Sequence, residues 1–146
     1  MKRKILFAVL VAGIALLFAC KTQPKPAATA EETLKNVYDR YTKDLILDGA
    51  EKYTVVGGDT LSAIARKYYD NGTYYPVIML ASKDVVLDPD KIEPGMELTV
   101  PNLQKNLDDA KARKNIKNFM GEMAKFEDDR DRKDVANNMR NLADSL

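Results

Sequence analysis

The sequence predicts a small α+β fold, in which a strand–helix–helix–strand unit is flanked by amphipathic helices. Two short runs with β-branched residues, Tyr53–Val56 and Met96–Val100, favour strands. Two stretches with apolar residues at helical spacing, Leu61–Tyr68 and Tyr74–Ala81, lie between them. Strands in this order can pair antiparallel, so we expect a two-stranded antiparallel sheet with two helices on one face.

The composition narrows the classes of function. The chain has 146 residues, one cysteine, no histidine and a formal net charge of +1. This length allows one small domain with extensions. Without histidine, the Ser-His-Asp and Cys-His forms of catalysis and the usual zinc-ligand patterns are excluded. The near-neutral charge does not favour nucleic acid as a partner. We also expect neither a metal nor a cofactor.

Residues 1–20 have the pattern of a signal peptide. A basic start precedes an unbroken apolar run, Ile5 to Phe18, which is shorter than the roughly 20 residues of a membrane-spanning helix. Leu17–Cys20 resembles a bacterial lipobox, although Phe18 stands where most lipoboxes have a small residue. The resemblance implies cleavage before Cys20 and attachment of acyl chains such as palmitate to it. An ordinary cleaved signal and a short uncleaved anchor are the alternatives.

Residues 21–30 are expected to form a flexible tether. The stretch contains two prolines and small residues, and it has no apolar periodicity. Several acyl chains on Cys20 would give stable membrane attachment, since each buried methylene contributes about 0.8 kcal/mol. The sequence therefore predicts a lipid-anchored protein of the cell envelope that faces the periplasm. It leaves open whether the lipid lies in the inner or the outer membrane.

An amphipathic helix is predicted over residues 31–48. Its apolar stripe includes Leu34, Tyr38, Tyr41 and Leu45, and Asp48-Gly49 supplies the stop. We expect this stripe to face a core.

Residues 102–146 are predicted to form a C-terminal helical region. Apolar residues keep a helical period from Leu103 to Phe126, and a shorter stripe begins at Val135. The run "EDDRDRKD", residues 127–134, has no apolar residue and is expected to be a solvated break. The flanking helices either pack together and against the central unit, or leave open stripes for a partner or a second copy. The sequence does not decide between these, nor does it decide the oligomeric state.

The central unit carries two motifs in the right order and at the right distance. "YTVVGGDTLSAIARKYY", starting at Tyr53, resembles the opening of a LysM domain, Y-x-V-x-x-G-D-T-L-x-x-I-A. "KIEPGMELTVP", ending at Pro101, resembles its closing motif. The resemblance covers residues 53–101 and implies the βααβ fold of that family. The middle of the segment is especially similar to a subgroup of potassium-binding LysM proteins. Those proteins also have a BON domain, and we expect no room for a BON domain in this chain.

The resemblance implies a site for glycans that contain N-acetylglucosamine. By analogy the groove lies between the turn before the first helix and the loop after the second. The residues implied are Gly58, Asp59, Thr60, Leu61, Ala81, Ser82, Lys83 and Asp84. Among these, Asp59 and Thr60 also suit helix capping, and Leu61 suits the core. Ser82 stands where many LysM domains have asparagine, which leaves the shape of that loop open.

We therefore expect a lipid-anchored, non-catalytic protein that binds peptidoglycan and tethers a membrane to the cell wall. The length of glycan that it prefers is left open. One alternative is a scaffold lipoprotein whose helical flanks recruit an envelope protein; open apolar stripes would favour it and sealed stripes would weaken it. Another is a cation-binding LysM protein that uses the acidic loop Asp84–Glu93. An enzyme is not expected, because glycan cleavage needs two suitably placed carboxylates, and the acidic residues fall in caps, turns and solvated faces.

Overall fold

A computed structural model of the chain describes residues 30–146, with side chains from residue 35 onward. The predicted signal peptide, Cys20 and all but the last residue of the predicted tether lie outside the described residues. The elements in chain order are α1 (Ala30–Tyr41), β1 (Glu51–Thr54), α2 (Leu61–Tyr69), a 3-10 turn (Gly72–Tyr74), α3 (Tyr75–Ala81), β2 (Glu97–Val100), α4 (Leu103–Asp108), α5 (Ala110–Asp129) and α6 (Lys133–Ser145).

The α+β fold expected from the sequence is confirmed, with β1 and β2 forming a two-stranded antiparallel sheet. Tyr53 pairs with Leu98 in this register, and Leu98 is fully buried. The pairing continues past the end of β1, because the Val55 N–H donates to the Met96 carbonyl and the Val55 carbonyl accepts from the Gly95 N–H. The sheet therefore extends to the glycine turn that precedes α2.

Helix α1 is shorter than the predicted span of residues 31–48. It ends at Tyr41, and residues 42–50 form turns and extended chain. A residue far along the chain holds part of this segment. The Asn106 side chain accepts from the Ile46 N–H at 2.8 Å and donates to the Ile46 carbonyl at 2.9 Å. The Ile46 backbone therefore forms its hydrogen bonds with a side chain and not within a helix, and Leu45 lies beyond α1.

The apolar stripes of the flanking helices are buried against the central unit. The ring centroids of Tyr38 in α1 and Phe119 in α5 are 5.0 Å apart. Both side chains belong to the core cluster that also contains Ile64 of α2 and Leu98 of β2, and Met139 of α6 joins it. The sequence left open whether the flanking helices pack against the central unit. In the described residues they do, since the helices and the central unit share one core.

The C-terminal region consists of α4, α5 and α6. The Asp109 side chain begins α5 by accepting from the N–H groups of Lys111 and Ala112. The predicted break is present but shorter than residues 127–134, since only residues 130–132 separate α5 from α6. The charged run is not fully solvated, however, because Glu127 is buried with only 1% of its surface exposed. No helix in the described part of the chain has the length and apolar character needed to cross a membrane.

Candidate functional site

The turn before α2 is built by a glycine and a capping threonine. Gly58 has φ +90°, a conformation that side chains with a Cβ rarely adopt. Thr60 is the N-cap of α2, and its hydroxyl accepts from the Ala63 N–H at 3.1 Å. Leu61 follows as the first helical residue and is buried in the core. Gly58 and Thr60 thus serve one sharp change of direction between β1 and α2.

The Asp59 carboxylate stabilises the same turn rather than the helix. It accepts from the Val56 N–H at 2.9 Å and from the Tyr53 hydroxyl at 2.8 Å. The bond from Val56, followed by that from Tyr53, holds the pKa of the Asp59 carboxyl below its ordinary value. Asp59 is therefore ionised at neutral pH and has the role of an acceptor in the turn.

A groove of about 420 Å³ opens beside this turn. One wall is the turn and the start of α2, from Asp59 to Ser62. A second wall comes from the loop between α3 and β2 and includes Asp90 and Ile92. The buried Tyr75 of α3 also lines the groove. This part of the groove lies within the unit that the two sequence motifs define.

The third wall comes from outside that unit. Glu127 at the end of α5, Arg132 in the following turn and Val135 in α6 line the same groove. Val135 is 38% exposed and therefore presents apolar surface to whatever occupies the space. The C-terminal helices are thus part of the candidate site as well as part of the core.

Paired charges join the second and third walls. Arg130 forms two hydrogen bonds with the Asp88 carboxylate, at 3.0 and 2.8 Å. Arg132 forms two with the Asp90 carboxylate, at 3.0 and 2.7 Å, and Arg130 also reaches Asp90 at 2.7 Å. The bond from Arg130 is the main cause that lowers the pKa of Asp88, and the bond from Arg132 is the main cause for Asp90. The loop after α3 is therefore fastened to the turn between α5 and α6.

A buried polar contact lies beneath this surface network. The Tyr75 hydroxyl donates to Oε1 of Glu127 at 2.5 Å. Oε2 of Glu127 lies 2.7 Å from Nε of Arg132, but the N–H is not aimed at it, so the contact is an ion pair without a well-formed hydrogen bond. Burial, followed by the bond to Glu127, raises the pKa of the Tyr75 hydroxyl, so it stays protonated as a donor.

The predicted site residues after α3 are not brought opposite the glycine turn. Ser82 is buried, and its hydroxyl accepts from the Thr99 N–H at 2.9 Å and donates to the Thr99 carbonyl at 3.3 Å. Lys83 forms an ion pair with Asp39 of α1 at 3.1 Å and another with Asp84 at 3.2 Å.

Ala81 and Ser82 line a different depression, beside β2. Ser82 has φ −114°, so α3 ends without the left-handed residue that asparagine would favour. The structure therefore brings together Asp59, Thr60 and Leu61, with the neighbouring Gly58 in the same turn, and places residues 81–84 elsewhere.

The sequence interpretation missed the walls formed by residues 89–92 and by the C-terminal turn. A signal for them existed in the charge spacing. Asp88 and Asp90 are two residues apart, and so are Arg130 and Arg132. The equal spacing is compatible with the pairing that the structure shows, but each run considered alone looks like a solvated segment.

The acidic loop Asp84–Glu93 forms ion pairs with arginines. Asp88 and Asp90 both bind guanidinium groups, and Arg130 also lies over the Phe126 ring at 3.9 Å from its centroid. Among the described residues, no group of three or more potential ligand side chains is placed to hold a metal ion.

The fold and the groove define a class of protein, the small α+β binding module. More specifically, the family model for the LysM domain matches residues 53–101, and this part of the chain is a LysM domain. LysM domains are binding domains for peptidoglycan and related N-acetylglucosamine glycans, and proteins that carry them are typically associated with the cell envelope. The resemblance stated from the two motifs is thus confirmed.

Known relatives match this domain and little beyond it. The Potassium binding protein Kbp of Escherichia coli is 49% identical over 49 residues, which is 34% of this chain and 33% of that protein. An esterase known from two Mycobacterium tuberculosis strains is 41% identical over 56 residues, 38% of this chain and 12% of the esterase. The chain therefore spans a third or less of these relatives. No solved structure matches it significantly.

Proposed function

We propose that the protein is a lipid-anchored, non-catalytic peptidoglycan-binding protein that tethers a membrane to the cell wall. In this proposal Cys20 carries the lipid, and the groove beside the Gly58 turn binds the glycan. The observation that carries the proposal is the open groove at the characteristic turn of the LysM domain, between Thr60 and Ile92.

The chemistry of the groove suits a neutral sugar. Thr60, Ser62 and the backbone of the turn offer hydroxyl and amide groups, while Ile92 and Val135 offer apolar surface for an N-acetyl methyl group or a ring face. Three carboxylates against one guanidinium line the groove, and this balance suits the neutral sugar units of the glycan better than its anionic groups.

The carboxylates of the groove support a binding role without catalysis. Glycan cleavage needs one carboxyl that stays protonated as a general acid. The pKa of Asp59 and that of Asp90 are both lowered, by the Val56 N–H and by Arg132 respectively, so neither is such an acid. Glu127 already accepts from Tyr75 and is ion-paired with Arg132.

A single open groove should bind weakly, because association costs translational freedom and leaves most contacts wet. Wall glycan is repetitive, and a protein held at a membrane surface meets it at high effective concentration. Anchoring through Cys20 would therefore raise the occupancy of the groove.

The scaffold alternative has less support. It needs open apolar stripes on the flanking helices, and Tyr38, Phe119 and Met139 are buried in the shared core. The cation-binding alternative draws on the name of the Escherichia coli relative. Its acidic loop has Asp88 and Asp90 bound to arginines, so a cation would have to displace both guanidinium groups.

Co-sedimentation with purified peptidoglycan sacculi tests the proposal, using the full chain in mild detergent. Val135→Arg places a large side chain in the groove. Val85→Arg is the matched control, because Val85 is also an exposed valine, at 46%, and lies in the depression beside Ala81 and Ser82. Since sacculi are anionic, the added positive charge favours non-specific pelleting in both variants, and a loss therefore reports obstruction.

We expect the wild type and Val85→Arg to pellet and Val135→Arg to remain in solution, with all three showing the same circular dichroism. If Val85→Arg is the one variant that fails to pellet, the result would favour glycan binding at residues 81–84. If the wild type stays in solution, glycan binding is wrong.

Lipid attachment is tested separately by Cys20→Ser in cells fed with labelled palmitate. We expect label in the wild type and none in the variant. Label retained by the variant, or absent from both, would contradict the anchor.

A further inference from the structure

A second groove continues the first one away from the glycine turn. It has a volume of about 290 Å³ and lies between α2, the 3-10 turn and α6. Ser62, Tyr75 and Val135 line both grooves, so the two spaces meet along one surface. The second groove is lined partly by α6, outside the LysM domain.

The lining of the second groove is polar and balanced in charge. Asn71, Thr73 and Asn138 are neutral hydrogen-bonding side chains, and Arg66 and Asp70 have opposite charges. Among the residues whose side chains the structure describes, Arg66 forms no ion pair, so its guanidinium is not committed to a carboxylate. Hydroxyl and amide groups of a neutral ligand match this set better than a charged group does.

The floor of the second groove depends on the close approach of two backbones. A Cβ on Gly72 would lie 2.8 Å from the Ser62 carbonyl oxygen and 3.3 Å from the guanidinium of Arg66. The absence of a side chain at Gly72 therefore lets the 3-10 turn lie against α2 and keeps room for Arg66.

The joined grooves follow the whole of α2. Thr60, at one end, lines the first groove, and Asp70, at the other, lines the second. The nine residues of α2 span about 14 Å, which is longer than one sugar ring. The half-exposed Val135 lies at the junction, where it can contact the face of a ring.

We infer that the second groove is a further sugar subsite, which binds the next units of a neutral N-acetylamino-sugar chain whose first units occupy the groove beside Gly58. This inference rests on the proposed function. It makes α6 part of the recognition surface, so side chains outside the LysM domain contribute to the binding of longer chains.

Isothermal titration of the full chain in detergent, with the two-unit and the five-unit oligosaccharides of N-acetylglucosamine, tests the inference. The variant is Arg66→Ala/Asn138→Ala. Its matched control is Lys67→Ala/Asn141→Ala, which removes the same kinds of side chain from exposed neighbours on the same two helices, outside both grooves.

In the wild type and the control we expect the five-unit chain to bind roughly tenfold more tightly than the two-unit chain, a difference of about 1.4 kcal/mol. In the variant this advantage should disappear while the two-unit affinity stays unchanged. If the variant keeps the advantage, or if the wild type has none, the second subsite is wrong and the proposed function stands. If neither oligosaccharide binds, both the second subsite and the proposed glycan-binding function are wrong.

Discussion

The Tyr75 hydroxyl lies 2.5 Å from Oε1 of Glu127, and the two residues are 4% and 1% exposed. One partner belongs to α3 of the LysM domain and the other to the last turns of α5. Because a buried carboxylate without a partner is costly, this contact favours the arrangement in which the C-terminal helices lie against the domain.

Tyr75→Phe should lower the free energy of unfolding by about 2 kcal/mol, since a hydrogen bond to a charged group contributes about 1.5–3 kcal/mol. Tyr69→Phe is the matched control, because Tyr69 is also largely buried and donates to a neutral group, the Pro101 carbonyl, at 3.0 Å. Its loss should be about 1 kcal/mol. Urea denaturation measures both. Equal losses would contradict the special role of the buried carboxylate.

Asp90→Asn should reduce stability at neutral pH by about 1 kcal/mol or less, because the carboxylate is half exposed and water screens its pairs with arginine. The folded-state pKa of Asp90 is lowered from its ordinary value of 3.8, mainly by Arg132. The stabilisation is therefore fully present above about pH 4 and is lost as the pH falls through the lower, folded value.

Thermal unfolding between pH 7 and pH 2.5 checks the effect at Asp90. The midpoints of the wild type and Asp90→Asn should differ at neutral pH and converge in acid. If the difference between the two midpoints instead grows as the pH falls, the pKa of Asp90 is not lowered on folding.

Two glycines should respond in opposite ways to alanine. Gly72→Ala should destabilise by about 1–3 kcal/mol, because its Cβ would lie 2.8 Å from the Ser62 carbonyl oxygen. Gly121 lies inside α5 and has no atom within 4 Å of an added Cβ, so Gly121→Ala should stabilise by about 0.5–1 kcal/mol. Denaturation midpoints in urea distinguish the two, and a stable Gly72→Ala protein would show that the backbones do not approach closely.

Asn106→Ala should cost about 2–3 kcal/mol. The Asn106 side chain is fully buried and satisfies both the N–H and the carbonyl of Ile46, and alanine would leave these two groups without their partner. Amide hydrogen exchange gives a local readout, since the Ile46 N–H should lose its protection. Unchanged protection of that amide would mean that Asn106 does not hold this segment.

The elements that the sequence predicted well depend on local signals. Gly58 and Thr60 mark the turn into α2, because backbone conformation and capping are decided within a few residues. The apolar stripe from Leu61 to Tyr68 likewise predicts the buried face of α2. These signals were enough for the LysM domain and its order of strands and helices.

The elements that it predicted poorly depend on residues far apart in the chain. The path of the chain after α1 depends on Asn106, which bonds Ile46 from 60 residues further on. The groove walls depend on Arg132 meeting Asp90, 42 residues earlier. Such pairings leave only faint marks in a single sequence, and for this reason Glu127 was expected to be solvated although it is buried.

The packing of α5 and α6 on the LysM domain has a consequence for how such a protein can evolve. Chain segments that recur among unrelated proteins are often regarded as interchangeable parts. Here a recombination event that moved residues 53–101 alone would leave behind Phe119 and Met139 of the shared core, together with the arginines that hold one rim of the groove. The unit that shares one core in this chain is therefore longer than the unit that recurs, and residues 53–101 moved alone would expose the apolar surface that the helices cover.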